Sequence, residues 1–216
     1  MTKRAKQMVV FDVDGVLLEV EKGGFKEVAE FLGKEKEVAK LHAEYEKRKN
    51  KGPWGLEQLA ELFKNYKKTY LLQIASGYID VRLAKNVKQV ISKLKQRKII
   101  VGAISSNPQF ILEVLAKKLN LDFVAGNILQ YKHNIATGKL KRKVDRYVKP
   151  EVLKNYMKKY KVSGKDVVVV GDSITDIPMG EIAGLFIAFN PKNGELEKEA
   201  DVIINSRDMK SILKYL

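Results

Sequence analysis

Cysteine is absent from all 216 residues. Disulfides, thiolate zinc sites and cysteine nucleophiles are therefore excluded. Histidine is nearly absent too: His42 and His133 are too few for a multi-histidine metal site, and both read as surface residues. No apolar run is long enough to cross a membrane. The basic residues Lys3, Arg4 and Lys6 lead into an apolar stretch too short for the core of a signal peptide, so a cytoplasmic protein is expected. Internal repeats and low-complexity linkers are missing. Negative charge is under-supplied: 41 Lys and Arg face 26 Asp and Glu, a formal net charge of +15. The lysines are spread over most expected helices with glutamates between them, as in Glu35-Lys36-Glu37 and Glu44-Tyr45-Glu46-Lys47-Arg48-Lys49. Such a cysteine-free, Lys/Glu-rich surface is a pattern of proteins from hot environments and points to a thermophilic origin. No nucleic-acid reading motif accompanies the charge, so nucleic acid is not an expected partner. Attraction of an anionic, phosphorylated substrate is the simpler use of the field.

What is present describes a folded domain. Hydrophobic content of 45% and charged content of 31% suit one sizeable core with a modest insertion. Monomer and homodimer both stay open. The most informative segment is Val9-Val10-Phe11-Asp12-Val13-Asp14-Gly15-Val16-Leu17. It reads as a buried strand that delivers two acids to its C-terminal edge, where open α/β sheets place their ligands. Alternate residues of an extended chain point the same way, so Asp12 and Asp14 can address one site. Their repulsion calls for a cation or a shared proton. Taken alone, the segment also reads as an ordinary Asp-Gly turn.

The pattern recurs twice. Ile99–Ile104 ends at Ser105-Ser106-Asn107-Pro108, and Val167–Val170 ends at Gly171-Asp172-Ser173-Ile174-Thr175-Asp176. Apolar strands alternating with amphipathic helices predict an α/β fold: a Rossmann-like, doubly wound parallel sheet covered on both faces. All three strand ends then lie on one edge. Ser105-Ser106-Asn107 before Pro108 is readable as a helix N-cap, or as hydroxyls and free N–H groups suited to a phosphate. Asp172 and Asp176 are readable as caps as well. Capping does not explain why four acids and a phosphate-ready helix start should meet at one edge. Hard carboxylate oxygens with a phosphate suit Mg²⁺. Lys149, just before Pro150 at a helix start, is placed to neutralise the phosphate, in competition with Lys141, Lys143 and Lys154.

From 22 to 82 no strong strand signal occurs, and helical patterning is broken at Gly23-Gly24, Gly52-Pro53 and Ser76-Gly77. The expected organisation is a core of residues 1–21 and 83–216 with a helical insertion, 22–82, over the acidic strand end. Trp54, Tyr66, Tyr70 and Tyr78 lie in this insertion at helical spacing and read as packing. Downstream, Ile128–Leu140 with Thr137-Gly138 reads as a hairpin, and the chain is expected to end in a helix.

In this order the four segments resemble the haloacid dehalogenase superfamily of phosphatases, and within it the phosphoserine phosphatase group. Asp12-Val13-Asp14-Gly15-Val16 resembles its first motif, Ser105 its second, Lys149 its third, and Gly171-Asp172 with Asp176 its fourth. Lys149-Pro150-Glu151-Val152-Leu153 and the ending Ala200-Asp201-Val202-Ile203-Ile204 fit the same group. The resemblance implies Asp12 as nucleophile, forming an aspartyl-phosphate, and Asp14 as acid and then base. It implies Mg²⁺ held by the Asp12 carboxylate, the Asp14 carbonyl and Asp172, with Asp176 near or acting through water. Ser105, the Ser106 amide and Lys149 would cradle the phosphoryl group, and residues 22–82 would be a mobile cap. Glu21 falls near the acidic position that contacts substrate in that group. Where a substrate-binding arginine would be sought, Leu56-Glu57-Gln58-Leu59-Ala60-Glu61-Leu62 offers the acid Glu61. The expected substrate is therefore a small phosphorylated metabolite other than phosphoserine. Phosphotransfer, a phosphomutase, and a non-catalytic phosphate- or nucleic-acid-binding module are the alternatives.

Overall fold

Strand β1 (Met8–Phe11) is apolar and buried at every position. A strand without a polar face must be covered on both sides. Val9 and Phe11 enter one core, Met8 and Val10 the other. In the computed structural model, residues 7–47 and 55–216 are described. Trp54, the Gly52-Pro53 break, Arg48-Lys49 and the basic residues Lys3, Arg4 and Lys6 lie outside the described residues.

The remaining strands are β2 (Ile100–Pro108), β3 (Phe123–Lys132), β4 (Ile135–Arg142), β5 (Val167–Gly171), β6 (Leu185–Phe189) and β7 (Val202–Ile204). They form one sheet in the order β4-β3-β2-β1-β5-β6-β7. All neighbours are parallel except the β3–β4 hairpin. The chain winds outward from β1 to β4, then returns past β1 and winds the other way. The C-terminal end of β1 is thus the switch point, flanked by the ends of β2 and β5, where such sheets bind ligands. In β5, Val168 and Val170 join the first core and Val167 and Val169 the second, as a strand covered on both faces requires.

Three expectations need correction. β2 runs on through Ser105, Ser106 and Asn107 to Pro108, with a register shift against β3 between Ile104 and Pro108. The helix that follows (Gln109–Leu119, called α6 below) has no side-chain N-cap bond, so Ser105 is free of the capping role. The hairpin does not turn at Thr137-Gly138. His133 and Asn134 carry φ of 51° and 63°, the left-handed pair of a tight hairpin turn. Gly138 lies inside β4, where a Cβ would stand 2.3 Å from Glu61 Oε2. The chain end is a 3-10 segment, Met209–Tyr215, and not an α-helix.

Between β1 and β2 come α1 (Gly24–Glu30), α2 (Glu35–Lys47), α3 (Leu56–Glu61), α4 (Lys68–Arg82) and α5 (Val87–Gln96). The chain leaves for α1 and returns from α4 at adjacent points. Leu18 bridges Leu83, the Glu19 N–H donates to the Arg82 carbonyl at 2.7 Å, and Ala84 N–H to that of Leu17 at 3.0 Å. Buried Glu27 clamps this junction. Its Oε1 accepts the N–H groups of Glu21 (2.7 Å) and Lys22 (2.9 Å), and its Oε2 pairs with Arg82 Nε at 3.2 Å. A second seam joins the helices to the hairpin. Asn65 N–H donates to the Ala136 carbonyl (2.9 Å), Ala136 N–H to that of Tyr66 (2.9 Å) and Lys68 N–H to that of Asn134 (2.8 Å). Phe63 lies against Phe110 of α6 with ring centroids 5.6 Å apart, so one apolar core runs from the insertion into the sheet. Tyr78 is fully buried against Phe31, and Tyr66 stacks on Tyr70, in keeping with a packing role for these rings.

Candidate active site

Asp12 follows β1 and is held by its own N–H, which donates to the Val170 carbonyl at 2.9 Å. Gly15 turns the chain away at φ +77°, and a Cβ there would lie 1.8 Å from Asp172 Oδ2. A glycine is thus required for the first loop to approach the loop after β5. The carboxylate oxygens of Asp12, Asp172 and Asp176 come within 4.8 Å of one another, and all three residues are buried.

Lys149 opens the helix Lys149–Tyr160 (α7) and is 1% exposed. Its Nζ donates to Asp12 Oδ1 at 3.0 Å and to Asp176 Oδ1 at 2.7 Å. Burial alone would lower its pKa, but Asp12 and Asp176 more than offset this and hold it above the lysine range. Asp176 Oδ2 accepts the N–H groups of Asp172 (3.2 Å) and Ser173 (3.3 Å), tying its own loop together; it makes no cap bond to the short helix Ile177–Gly180. Lys192 Nζ stands 2.7 Å from Asp172 Oδ2. Burial, and then the charge of Asp12, push the pKa of Asp172 up to about 7 and that of Asp176 up to about 6, against the pull of Lys192 and Lys149 respectively.

Asp14 has different neighbours. Its Oδ1 accepts from Asn107 Nδ2 at 2.7 Å and its Oδ2 from the Gly24 N–H at 2.8 Å. Burial, then Asp12, push its pKa up to about 6 in spite of these donors. Ser105, 3% exposed, accepts the Asn107 N–H on Oγ at 3.3 Å. Ser106 is next to it at the same strand end, its carbonyl accepting from Asn127 Nδ2.

Of the expected site residues, Asp12, Lys149, Asp172 and Asp176 form one bonded cluster, with Asp14, Ser105 and Ser106 at the adjoining strand ends. Glu21 is not drawn in: it is exposed, and the buried acid of that stretch is Glu27, which accepts the Glu21 N–H. Glu61 is exposed and paired with Lys64 at 2.7 Å. Asn107 and Lys192 were not singled out from the sequence. Asn107 was readable only as part of a cap, and Lys192 sits among many similar lysines.

The donor set fits a divalent cation. Four carboxylates (Asp12, Asp14, Asp172, Asp176) face two ammonium groups (Lys149, Lys192), leaving uncompensated negative charge where burial makes it costly. Oxygen-only ligands suit Mg²⁺.

Residues 6–184 match the family model of haloacid dehalogenase-like hydrolases. The phosphoserine phosphatase of Methanocaldococcus jannaschii is 29% identical over 215 residues, 99% of each chain. That of Archaeoglobus fulgidus is 31% identical over 218 residues, and this chain spans 60% of its length. Among solved structures, a phospho-aspartyl intermediate analogue of phosphoserine phosphatase is similar with a TM-score of 0.79, at 28% identity over 99% of this chain and 100% of that one. A substrate-bound phosphoserine phosphatase complex gives 0.81 at the same identity and the same coverage of both chains. With its switch-point acids, buried lysine and matching residues 6–184, this chain belongs to the haloacid dehalogenase-like hydrolases and is a phosphoric monoester hydrolase.

Proposed function

We propose that the protein is a Mg²⁺-dependent phosphatase of small phosphorylated metabolites that works through an aspartyl-phosphate. One observation carries the reading: two acids two residues apart have opposite surroundings. Asp12 faces a buried ammonium and Asp14 faces neutral N–H donors. An Asp12 oxygen attacks phosphorus, the ester P–O bond breaks, and the leaving oxygen takes a proton from Asp14. Water then attacks the phosphoryl group and gives its proton to Asp14 as the bond to Asp12 breaks, which regenerates the Asp12 carboxylate and releases phosphate. Ser105, the Ser106 amide and Lys149 hold the phosphoryl oxygens while charge shifts. Asp12, Asp172 and Asp176 with the Asp14 carbonyl would hold Mg²⁺, which when bound neutralises developing charge on those oxygens.

Residues 22–82 are read as the cap. Support comes from the paired connectors at Leu18 and Leu83 and from the first turn of α1 resting on Asp14. The curated relatives are named phosphoserine phosphatases. In this chain the Leu56–Leu62 stretch supplies Glu61, exposed and turned toward Gly138 of β4, and Arg82 is committed to Glu27. The reading is therefore a phosphomonoester whose organic part does not depend on an arginine from that stretch.

The test is phosphate release from p-nitrophenyl phosphate with Mg²⁺ or EDTA, for the parent and Asp12→Asn, followed by phosphoserine, sugar phosphates and nucleotides. Loss of activity on chelation and on substitution is expected; survival of either refutes the mechanism. A clear preference for phosphoserine would refute the substrate reading alone.

A further inference from the structure

We propose that Asn107 is a positioning residue for Asp14, which ties the acid–base carboxylate to the phosphate-binding strand end and to the seating of α1. The inference rests on the reading of Asp14 as proton carrier. Asn107 is 2% exposed. It makes two bonds of different purpose: Nδ2 donates to Asp14 Oδ1 at 2.7 Å, and its backbone N–H donates to Ser105 Oγ at 3.3 Å. One residue thus sets the distance between the group that carries the proton and a group that would hold the phosphoryl oxygens.

Its own place is enforced from both sides. A Cβ on Gly24 would stand 2.9 Å from Asn107 Oδ1 and 3.0 Å from Nδ2, so a glycine is what lets the first turn of α1 come down on the amide. A Cβ on Gly126 of β3 would stand 2.4 Å from the Asn107 carbonyl oxygen. A buried amide confined this way cannot swing freely, and its donor stays on Asp14. The two donors on Asp14 also differ in origin. Gly24 opens α1 of the insertion, whereas Asn107 belongs to β2 of the sheet. Asn107 thus fixes the Asp14 carboxyl from the sheet side, and the Gly24 N–H holds its other oxygen from the helix side. The sequence separation of 93 residues between the partners is bridged only because β2 lies beside β1.

The test separates positioning from mere support. Asn107→Ala and Asn107→Ser are compared with the parent by pre-steady-state release of p-nitrophenolate from p-nitrophenyl phosphate, and by turnover of phenyl phosphate. A p-nitrophenolate leaves with little help from an acid, whereas phenolate needs more. Hydrolysis of the aspartyl-phosphate, by water attack at phosphorus, needs Asp14 as base for both. The expected result is a p-nitrophenolate burst within about threefold of the parent, followed by a steady state slowed about 10- to 100-fold. First turnover of phenyl phosphate should slow more than that of p-nitrophenyl phosphate. An equal slowing of burst and steady state, or no slowing, overturns the proposal. Thermal unfolding midpoints show whether a variant is folded, and the serine variant serves if alanine is not. Asp14→Asn distinguishes the underlying reading: if it turns over phenyl phosphate like the parent, the role of Asp14 fails, whatever Asn107 does.

Discussion

Asp12 and Asp14 are two residues apart on one strand end, yet they belong to different halves of the site. The Asp12 half is built from the sheet: buried Lys149 bridges Asp12 to Asp176, and Asp172 faces Lys192. Every group there is ionisable, and removing either lysine leaves buried acids without their cation. The Asp14 half lies at the seam between the sheet and the helical insertion, and its donors are an amide and a backbone N–H. Charge fixes the first half, and neutral contacts that can be undone hold the second. On the roles proposed for them, the nucleophile has a fixed charged environment and the proton carrier one that lets the proton come and go.

The largest expected effect breaks the comparison outright. Asp12→Asn should lower turnover by at least about 10⁴-fold and leave no phosphate on the protein. Asp14→Asn should still release one equivalent of p-nitrophenolate and then stall as phosphoenzyme. Quench-flow with labelled substrate reads both, and identical behaviour of the two variants would mean that the halves are one.

Next comes stability. Lys149→Ala leaves Asp12 and Asp176 buried without their cation and should cost about 3–5 kcal/mol in EDTA. Part of that should return with Mg²⁺, and urea unfolding with and without the ion measures it. Asn107→Ala removes a neutral donor and should cost about 1–3 kcal/mol. A larger loss for Asn107 than for Lys149 would invert the proposed division.

A smaller effect is expected at Gly15, where φ is +77° and a Cβ would meet Asp172 Oδ2 at 1.8 Å. Gly15→Ala should cost about 1–3 kcal/mol in backbone strain and weaken Mg²⁺ binding by displacing Asp172. Isothermal titration with Mg²⁺ would show whether the affinity is instead unchanged.

The smallest is a pH effect. Asp14, Asp172 and Asp176 have folded-state pKa values of about 6, 7 and 6, above the ordinary 3.8. Between the ordinary and raised values the folded chain binds more protons than the unfolded one, so stability falls as pH rises through that window. The EDTA-treated protein should therefore melt a few degrees higher at pH 6 than at pH 8, where about 1 kcal/mol corresponds to roughly 2–4 °C. Mg²⁺ should stabilise more at pH 8, since it competes with those protons. Scanning calorimetry at the two pH values checks both signs.

How much of this was legible depended on range. The strand Met8–Phe11 could be read because an unbroken apolar run has few other uses, and the acids after it inherit their place from the strand. A hairpin is readable over Ile128–Leu140, within the observed Phe123–Arg142, but not its turn: Thr137-Gly138 has the stronger local preference, while His133 and Asn134 adopt the left-handed turn that the strand register requires. Ser105-Ser106-Asn107 looked like a cap because Pro108 follows, and extension of β2 removed that role. Glu21 is expected from its place after the motif; the structure leaves it exposed and buries Glu27, six residues later, which accepts its N–H.

By itself the sequence determined the chemistry available: carboxylates, serines and a lysine at the ends of apolar strands, in an order that a parallel sheet gathers on one edge. Those are properties of residue type and period, carried by neighbours along the chain. Tertiary structure alone decided that Lys149 faces Asp12 and Asp176, that Lys192 faces Asp172, and that Asn107 faces Asp14. Hydrogen bonds and close ion pairs act over about 3–4 Å, and such distances between residues far apart in sequence exist only once β2 and β5 are laid on either side of β1.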